Sequence, residues 1–201
     1  MSIHQPLSRR FASWALLMCF ALGALTACNK QRANWYLKNA QKRLAAAQQN
    51  EAERFKATDY KAISDKVQEA QGQVASGAFD VALTSAQEAA ERAKTLLAEV
   101  KQNRANTLRD EAQKNVKIAT DNQGQQLNEA AYTRINELYN DAEQALAKQK
   151  YEKTIQLCLQ VAQEVEALLQ PLKQDTENKL REAAKLREDL LREGAEVEAP
   201  A

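Results

Sequence analysis

Residues 79–120 read FDVALTSAQEAAERAKTLLAEVKQNRANTLRDEAQKNVKIAT. Apolar side chains recur at Phe79, Leu83, Ala86, Ala90, Ala93, Leu97 and Val100, then at Leu108, Ala112, Val116 and Ala119. Spacings of three and four place them along one face of an α-helix. No Gly or Pro interrupts the run before Asp121-Asn122-Gln123-Gly124. The pattern therefore predicts one helix of about 42 residues, about 63 Å long at 1.5 Å per residue. Alanine supplies 37 of the 201 residues, glycine 5 and proline 3. Such a composition favours helix, and the chain is expected to be all-α.

The same pattern extends on both sides. A shift of 72 residues aligns 33–104 with 105–176 without a gap, and 16 of the 72 positions are identical. Aromatic and branched positions match as well, among them Tyr60/Tyr132, Ile63/Ile135, Phe79/Tyr151 and Leu97/Leu169. The expected architecture is a tandem repeat of elongated antiparallel helical hairpins or bundles, with long helices shared between the copies. One stripe runs Ile63, Val67, Ala70, Val74, and its counterpart runs Ile135, Leu138/Tyr139, Ala142, Leu146. Joints around Ser76-Gly77-Ala78 and Lys148-Gln149-Lys150 are short enough to turn neighbouring helices antiparallel, and Gly77 suits a helix C-terminus because it tolerates positive φ. Repeat 1 is placed at 35–104 and repeat 2 at 105–176. Pro171 is expected to kink or break the helix that starts at Tyr151, near Gln170. Residues 177–193 read as a C-terminal helix, the start of a third copy, and 194–201 as a tail too short and polar to pack.

The joint Gly77-Ala78-Phe79-Asp80-Val81-Ala82-Leu83 resembles the inter-helix joint of tetratricopeptide repeats, and Lys150-Tyr151-Glu152-Lys153-Thr154-Ile155 resembles it more weakly. The proline that closes each repeat of that family is absent, and the helix runs on instead. Bundles of the spectrin type, with an uninterrupted helix shared by adjacent units, fit the spacing equally.

At the other end, Arg9 and Arg10 precede Trp14–Ala27, a 14-residue stretch without charge. It is too short to span a bilayer of roughly 30 Å as a helix, and has the length of a signal-peptide apolar region. It closes on Leu25-Thr26-Ala27-Cys28, which resembles the lipobox of bacterial lipoproteins. The resemblance implies a signal peptide at 1–27, acylation of Cys28 (diacylglycerol and a further fatty acid such as palmitate), and a lipidated tether at 28–34. Three acyl chains would anchor the chain firmly, because each buried CH₂ contributes about 0.8 kcal/mol. Asn29 follows the cysteine where an Asp would signal retention in the inner membrane. The resemblance thus implies an outer-membrane lipoprotein facing the periplasm.

Removal of residues 1–27 takes Arg9 and Arg10, leaving 26 basic against 27 acidic residues, a net charge of −1. A chain so balanced lacks the basic excess of a nucleic-acid binder. His4, the single histidine, leaves with the signal. Without His, CxxC, an EF-hand loop or a GxGxxG or P-loop stretch, the usual routes to a metal site, an activated nucleophile or a phosphate cradle are missing. No cofactor, metal or catalytic residue is expected, and the chain is read as a non-enzyme. Glu88, Glu91 and Glu99 read as a solvated helix face. Cys158 aligns with Ala86 and reads as a small buried hydrophobe; the other reading is an interchain disulfide. Trp35 and Tyr36 lie close behind the lipid site. Tyr36 belongs to a core stripe with Ala40, Leu44 and Ala47, whereas Trp35 suits either the core or the membrane interface. Tyr60 and Tyr132 read as inter-helix packing, and as a partner surface if exposed. The expected function is that of a lipid-anchored periplasmic adaptor or scaffold for envelope proteins. The alternatives are a self-associating structural spacer (a homo-oligomer) and a carrier of an apolar ligand.

Overall fold

The computed structural model describes the backbone of residues 7–197 and the side chains of residues 28–192. Within them there is no strand. The chain is all-α, built from α1 (Leu7–Gln49), α2 (Ala52–Ala75), α3 (Phe79–Asp121), the single turn α4 (Gly124–Leu127), α5 (Glu129–Ala147) and α6 (Tyr151–Val197). The leader expected over 1–27 and the tail expected over 194–201 lie outside the described side chains.

Two compact units divide the chain between Arg104 and Ala105. In the first, α1, α2 and the N-terminal part of α3 share a core of Leu37, Ala40, Leu44, Ala47, Ala52, Ile63, Val67, Ala70, Ala86, Ala89, Ala90, Ala93, Leu96 and Val100. Eight of these fourteen are alanine. Their small side chains let the helix backbones approach closely, at the expense of apolar area buried per residue. Three polar links tie the helices together at their edges. Arg43 Nη1 donates to the Ala90 carbonyl at 2.7 Å, Lys66 Nζ meets Glu88 at 2.7 Å, and Lys56 Nζ meets Glu99 at 3.0 Å. At the end of α1, Arg104 Nη1 donates to the Gln49 carbonyl at 2.9 Å and to Asn50 Oδ1 at 3.2 Å. Through Gln49 it occupies one of the carbonyls that a helix C-terminus leaves unpaired.

The second unit joins the C-terminal part of α3 to α5 and α6 through Ala112, Ala119, Ile135, Ala142, Cys158, Val161, Val165, Leu168 and Leu169. Alanine is a minority here, and larger residues fill the space. Asn128 Oδ1 caps α5 by accepting the Ala131 N–H at 3.1 Å. Gly124 is buried where the chain leaves α3. A Cβ there would stand 2.8 Å from the Ala119 carbonyl oxygen and 2.9 Å from Leu168 Cδ2, so only glycine fits without displacement.

The joints of the two units carry the same backbone devices 72 residues apart. Glu51 (φ 65°) corresponds to Gln123 (φ 58°), and Gly77 (φ 82°) to Gln149 (φ 53°). Asn50 Nδ2 donates to the Ala46 carbonyl at 2.8 Å, and Asn122 Nδ2 to the Ile118 carbonyl at 2.8 Å. After α2, the Ser76 N–H reaches the Gly72 carbonyl and the Ala78 N–H the Gln73 carbonyl, both at 2.9 Å. After α5, Lys148 reaches Gln144 at 3.3 Å and Lys150 reaches Ala145 at 2.9 Å. Three of the four left-handed positions are held by residues with a Cβ, a conformation that costs about 1–2 kcal/mol outside glycine. Two outcomes are expected in urea unfolding. Gly77→Ala loses about 1 kcal/mol from φ alone, since its Cβ meets nothing within 4 Å. Gln149→Gly is neutral to stabilising by up to about 1 kcal/mol, relief of the left-handed strain outweighing the greater freedom of the unfolded glycine.

Two expectations are corrected. Of the kink or break expected near Gln170, the break is absent: α6 runs through Pro171 to Val197, so the segment expected as a separate C-terminal helix belongs to α6. Pro171 cannot donate to the Ala167 carbonyl four residues earlier. Both residues are exposed, so water can take that carbonyl while the buried Leu168 and Leu169 hold the turn in place. Residues 28–34 are not a loose tether but part of α1. Ala33 is fully buried, Asn29 Nδ2 donates to Asp80 Oδ1 at 2.6 Å, and Lys30 Nζ stands 5.7 Å from the centre of the Phe79 ring. These contacts fasten the segment to the start of α3.

Candidate functional site

Cys28 is exposed at the beginning of the described side chains. It stands on the same stretch of α1 as Gln31, Arg32, Trp35 and Tyr36, which line an open depression of about 330 Å³. Trp35 is 61% exposed, a large fraction for so apolar a side chain. Its ring meets Tyr36 edge-on, with centroids 4.8 Å apart and planes at 83°. Tyr36 in turn leans on the core of the first unit. The pair thus splits as its helical positions dictate, Tyr36 inward and Trp35 outward.

Tyr60 and Tyr132 both take the packing role. Each is half-buried, Tyr60 against the core of the first unit and Tyr132 against that of the second. The Tyr132 Oη lies 2.9 Å from Thr120 Oγ1, a hydrogen bond that holds the ring over the α3–α4 joint. Neither ring is presented as a free aromatic anchor.

Cys158 lies on α6, 2% exposed among Ala112, Ile135, Ala142 and Val161. Burial pushes its thiol up to about 11, and Glu143 adds to the shift. A thiol so placed is a poor nucleophile and poorly placed for a disulfide with another chain. Well below pH 9 both folded and unfolded thiols are protonated, and the group contributes nothing to pH dependence. Between pH 9 and 11 the unfolded thiol ionises while the folded one does not, so stability falls as pH rises. Cys158→Ala, the residue found at the matched position 86, is expected to remove that part of the alkaline loss. Native protein at pH 8 is expected to leave Cys158 unalkylated until denaturant is added; rapid labelling of the native chain would contradict its burial.

The three α3 carboxylates expected on a solvated face are engaged at the surface. Glu88 pairs with Lys66, Glu99 with Lys56, and Glu91 with Lys94 at 3.7 Å. Lys66 holds the Glu88 carboxyl below its usual range, chiefly through their hydrogen bond. Among the described residues, no group of three or more His, Cys, Asp or Glu is placed to hold a metal ion, and no helix is long and apolar enough to cross a membrane.

Compared with known proteins, the chain matches no family model, no curated sequence and no solved structure.

Sequence reasoning missed the charge arrangement around Trp35. The signal available was the helical angle between the aromatic residue and its basic neighbours.

Proposed function

We propose that this chain is a lipid-anchored helical scaffold of the bacterial envelope, held in the outer membrane through acylated Cys28 and presenting its helices to envelope proteins from the periplasmic side. The observation that carries the reading is the position of Cys28. It ends the lipobox-like Leu25-Thr26-Ala27-Cys28, and it is exposed on α1, five residues before the buried Ala33. The proposal assigns no catalytic role, in keeping with a chain that has no histidine after residue 4. We attribute the two units to an internal duplication. The coincidence of left-handed residues and joint hydrogen bonds at a 72-residue spacing supports it, beyond the 16 identities. Three helical segments sharing each core favour the spectrin-type alternative over tetratricopeptide hairpins. Crosslinking on native membranes followed by mass spectrometry tests the scaffold reading. A reproducible envelope partner crosslinked to the helical surface is expected, and recovery of no specific partner overturns it.

A specific feature also favours the self-associating reading. Leu180, Leu186, Leu190 and Leu191 on α6 are 60–65% exposed, and leucines that solvated usually find a partner. Light scattering of the protein in detergent at rising concentration discriminates the two: a mass that stays monomeric sinks self-association. The carrier reading gains nothing comparable, since alanines close the first core.

A further inference from the structure

From Cys28 to Asn50 the chain carries five basic residues, Lys30, Arg32, Lys38, Lys42 and Arg43, and no acidic one; the first acid is Glu51. Two of the five are used inside the unit. Lys30 stands over the Phe79 ring, and Arg43 donates to the Ala90 carbonyl. The other three, Arg32, Lys38 and Lys42, are exposed. With no acid on this stretch, none of them has the i,i+3 or i,i+4 carboxylate that normally neutralises a helix-surface cation.

Their placement is not scattered. At about 100° per residue, Cys28, Arg32, Trp35, Lys38 and Lys42 fall within a sector of roughly 120°. Ala33, Leu37, Ala40 and Leu44, which face the core, occupy the opposite side of the helix. One face of α1 is therefore committed to the protein. The other combines the cysteine, one solvent-exposed tryptophan and three uncompensated cations.

We infer that this outer face of α1 is a bilayer-docking surface, which seats Trp35 at the headgroup boundary and sets Arg32, Lys38 and Lys42 against anionic lipid phosphates. The inference rests on the lipoprotein reading of Cys28, which fixes the bilayer beside this face, and it adds an orientation that an acyl anchor alone does not provide. Charge complementarity selects the occupant: an acid-free cationic face with an indole suits the polar-apolar boundary of an anionic membrane. An acidic protein surface would match the cations but would give Trp35 no apolar layer to enter. The face extends from Cys28 to Lys42, about 21 Å along the helix. Residues 28–42 of α1 then lie along the membrane surface rather than projecting from it.

Trp14 leaves with the signal, so Trp35 is the single tryptophan of the processed chain and reports on this face alone. The test uses the processed protein extracted from bacterial membranes, with its N-terminal peptide weighed to establish acylation. It is reconstituted in phosphatidylcholine vesicles, with and without phosphatidylglycerol, and with brominated lipids. With phosphatidylglycerol present, Trp35 emission is expected to shift to the blue, to be quenched by the lipid bromines and to become protected from aqueous acrylamide. High salt is expected to reverse all three effects. The variant R32Q/K38Q/K42Q, which changes only exposed residues, is expected to lower the ratio of docked to undocked α1 about a hundredfold, at roughly fivefold per cation. Acylated protein whose Trp35 stays open to acrylamide in phosphatidylglycerol vesicles overturns the inference and leaves the anchor intact. Trp35 protected in native membranes but open in pure lipid vesicles also overturns it, in favour of a protein partner. A processed chain without acyl groups on Cys28 overturns the lipoprotein reading, and the inference with it.

Discussion

Ile135→Ala is expected to destabilise the second unit by about 3 kcal/mol, a shift of roughly 1–2 M in the urea midpoint. Ile135 is fully excluded from solvent and, among the described residues, is the largest side chain buried so completely. It projects from α5 into a core shared with Ala112 and Ala119 of α3 and Val161, Val165 and Leu168 of α6. Truncation removes three carbons from contact with all three helices. Ala112, Ala119 and Ala142 have no side-chain length with which to refill the cavity, and the β-branched Val161 and Val165 have little rotamer freedom to do so, so full collapse would require the helices themselves to move. A domain of this size has only about 5–15 kcal/mol of stability, so the loss is a large share of it. The matched residue Ile63, 2% exposed in the first core, is expected to cost a similar amount when replaced by alanine. Circular dichroism during urea titration measures both. A loss below 1 kcal/mol at Ile135 would mean that the second core is looser than its burial implies.

Cys28→Ser is expected to have the largest functional effect. In the lipoprotein reading the thiol accepts a diacylglycerol before the leader is removed, and a serine hydroxyl does not substitute for it. The variant is expected to incorporate no labelled fatty acid and to accumulate as the uncleaved precursor instead of the form that begins at residue 28. Because Cys28 is exposed and removed from both cores, its loss leaves the fold unchanged by circular dichroism. Fatty-acid labelling that persists in Cys28→Ser would place the acyl group elsewhere and dismiss the assignment.

Much of the fold was legible because it depends on period and punctuation. The apolar run from Phe79 to Ala119 has one spacing and no helix breaker, and α3 is the uninterrupted helix that this implies. The joints at 76–78 and 148–150 follow from a stripe that ends and restarts. The joint at Asn50-Glu51 carries neither Gly nor Pro, and Glu51 adopts a left-handed conformation that its residue type disfavours. Only its correspondence with Asn122-Gln123, which immediately precede Gly124, could have marked it. Pro171 misled in the opposite direction. A proline on an exposed position loses one hydrogen bond, whereas the buried Leu168 and Leu169 of the same turn hold the helix through burial. The segment 28–34 looked like a tether because it is short and polar, but one buried alanine and two contacts to the start of α3 suffice to fasten it.

The candidate site was legible only in part, for a related reason. Cys28 is proposed from its immediate neighbours, a local pattern that needs no fold. Trp35 is decided by which side of α1 the core occupies. Arg32, Lys38 and Lys42 become a face only when Lys30 and Arg43 are seen to be used elsewhere. Tyr60 and Tyr132 illustrate the limit of residue type as a guide. A tyrosine suits a partner surface and a helix interface equally well, and only packing separates the two.

The central claim is that an acylated Cys28 fixes this helical chain to the envelope. It is tested most directly by the mass of the N-terminal peptide of the protein recovered from bacterial membranes. The account predicts a peptide that begins at Cys28 and carries the added mass of a diacylglyceryl group and a third fatty acid. A peptide that begins at Cys28 with an unmodified thiol, or at any other residue, would contradict it.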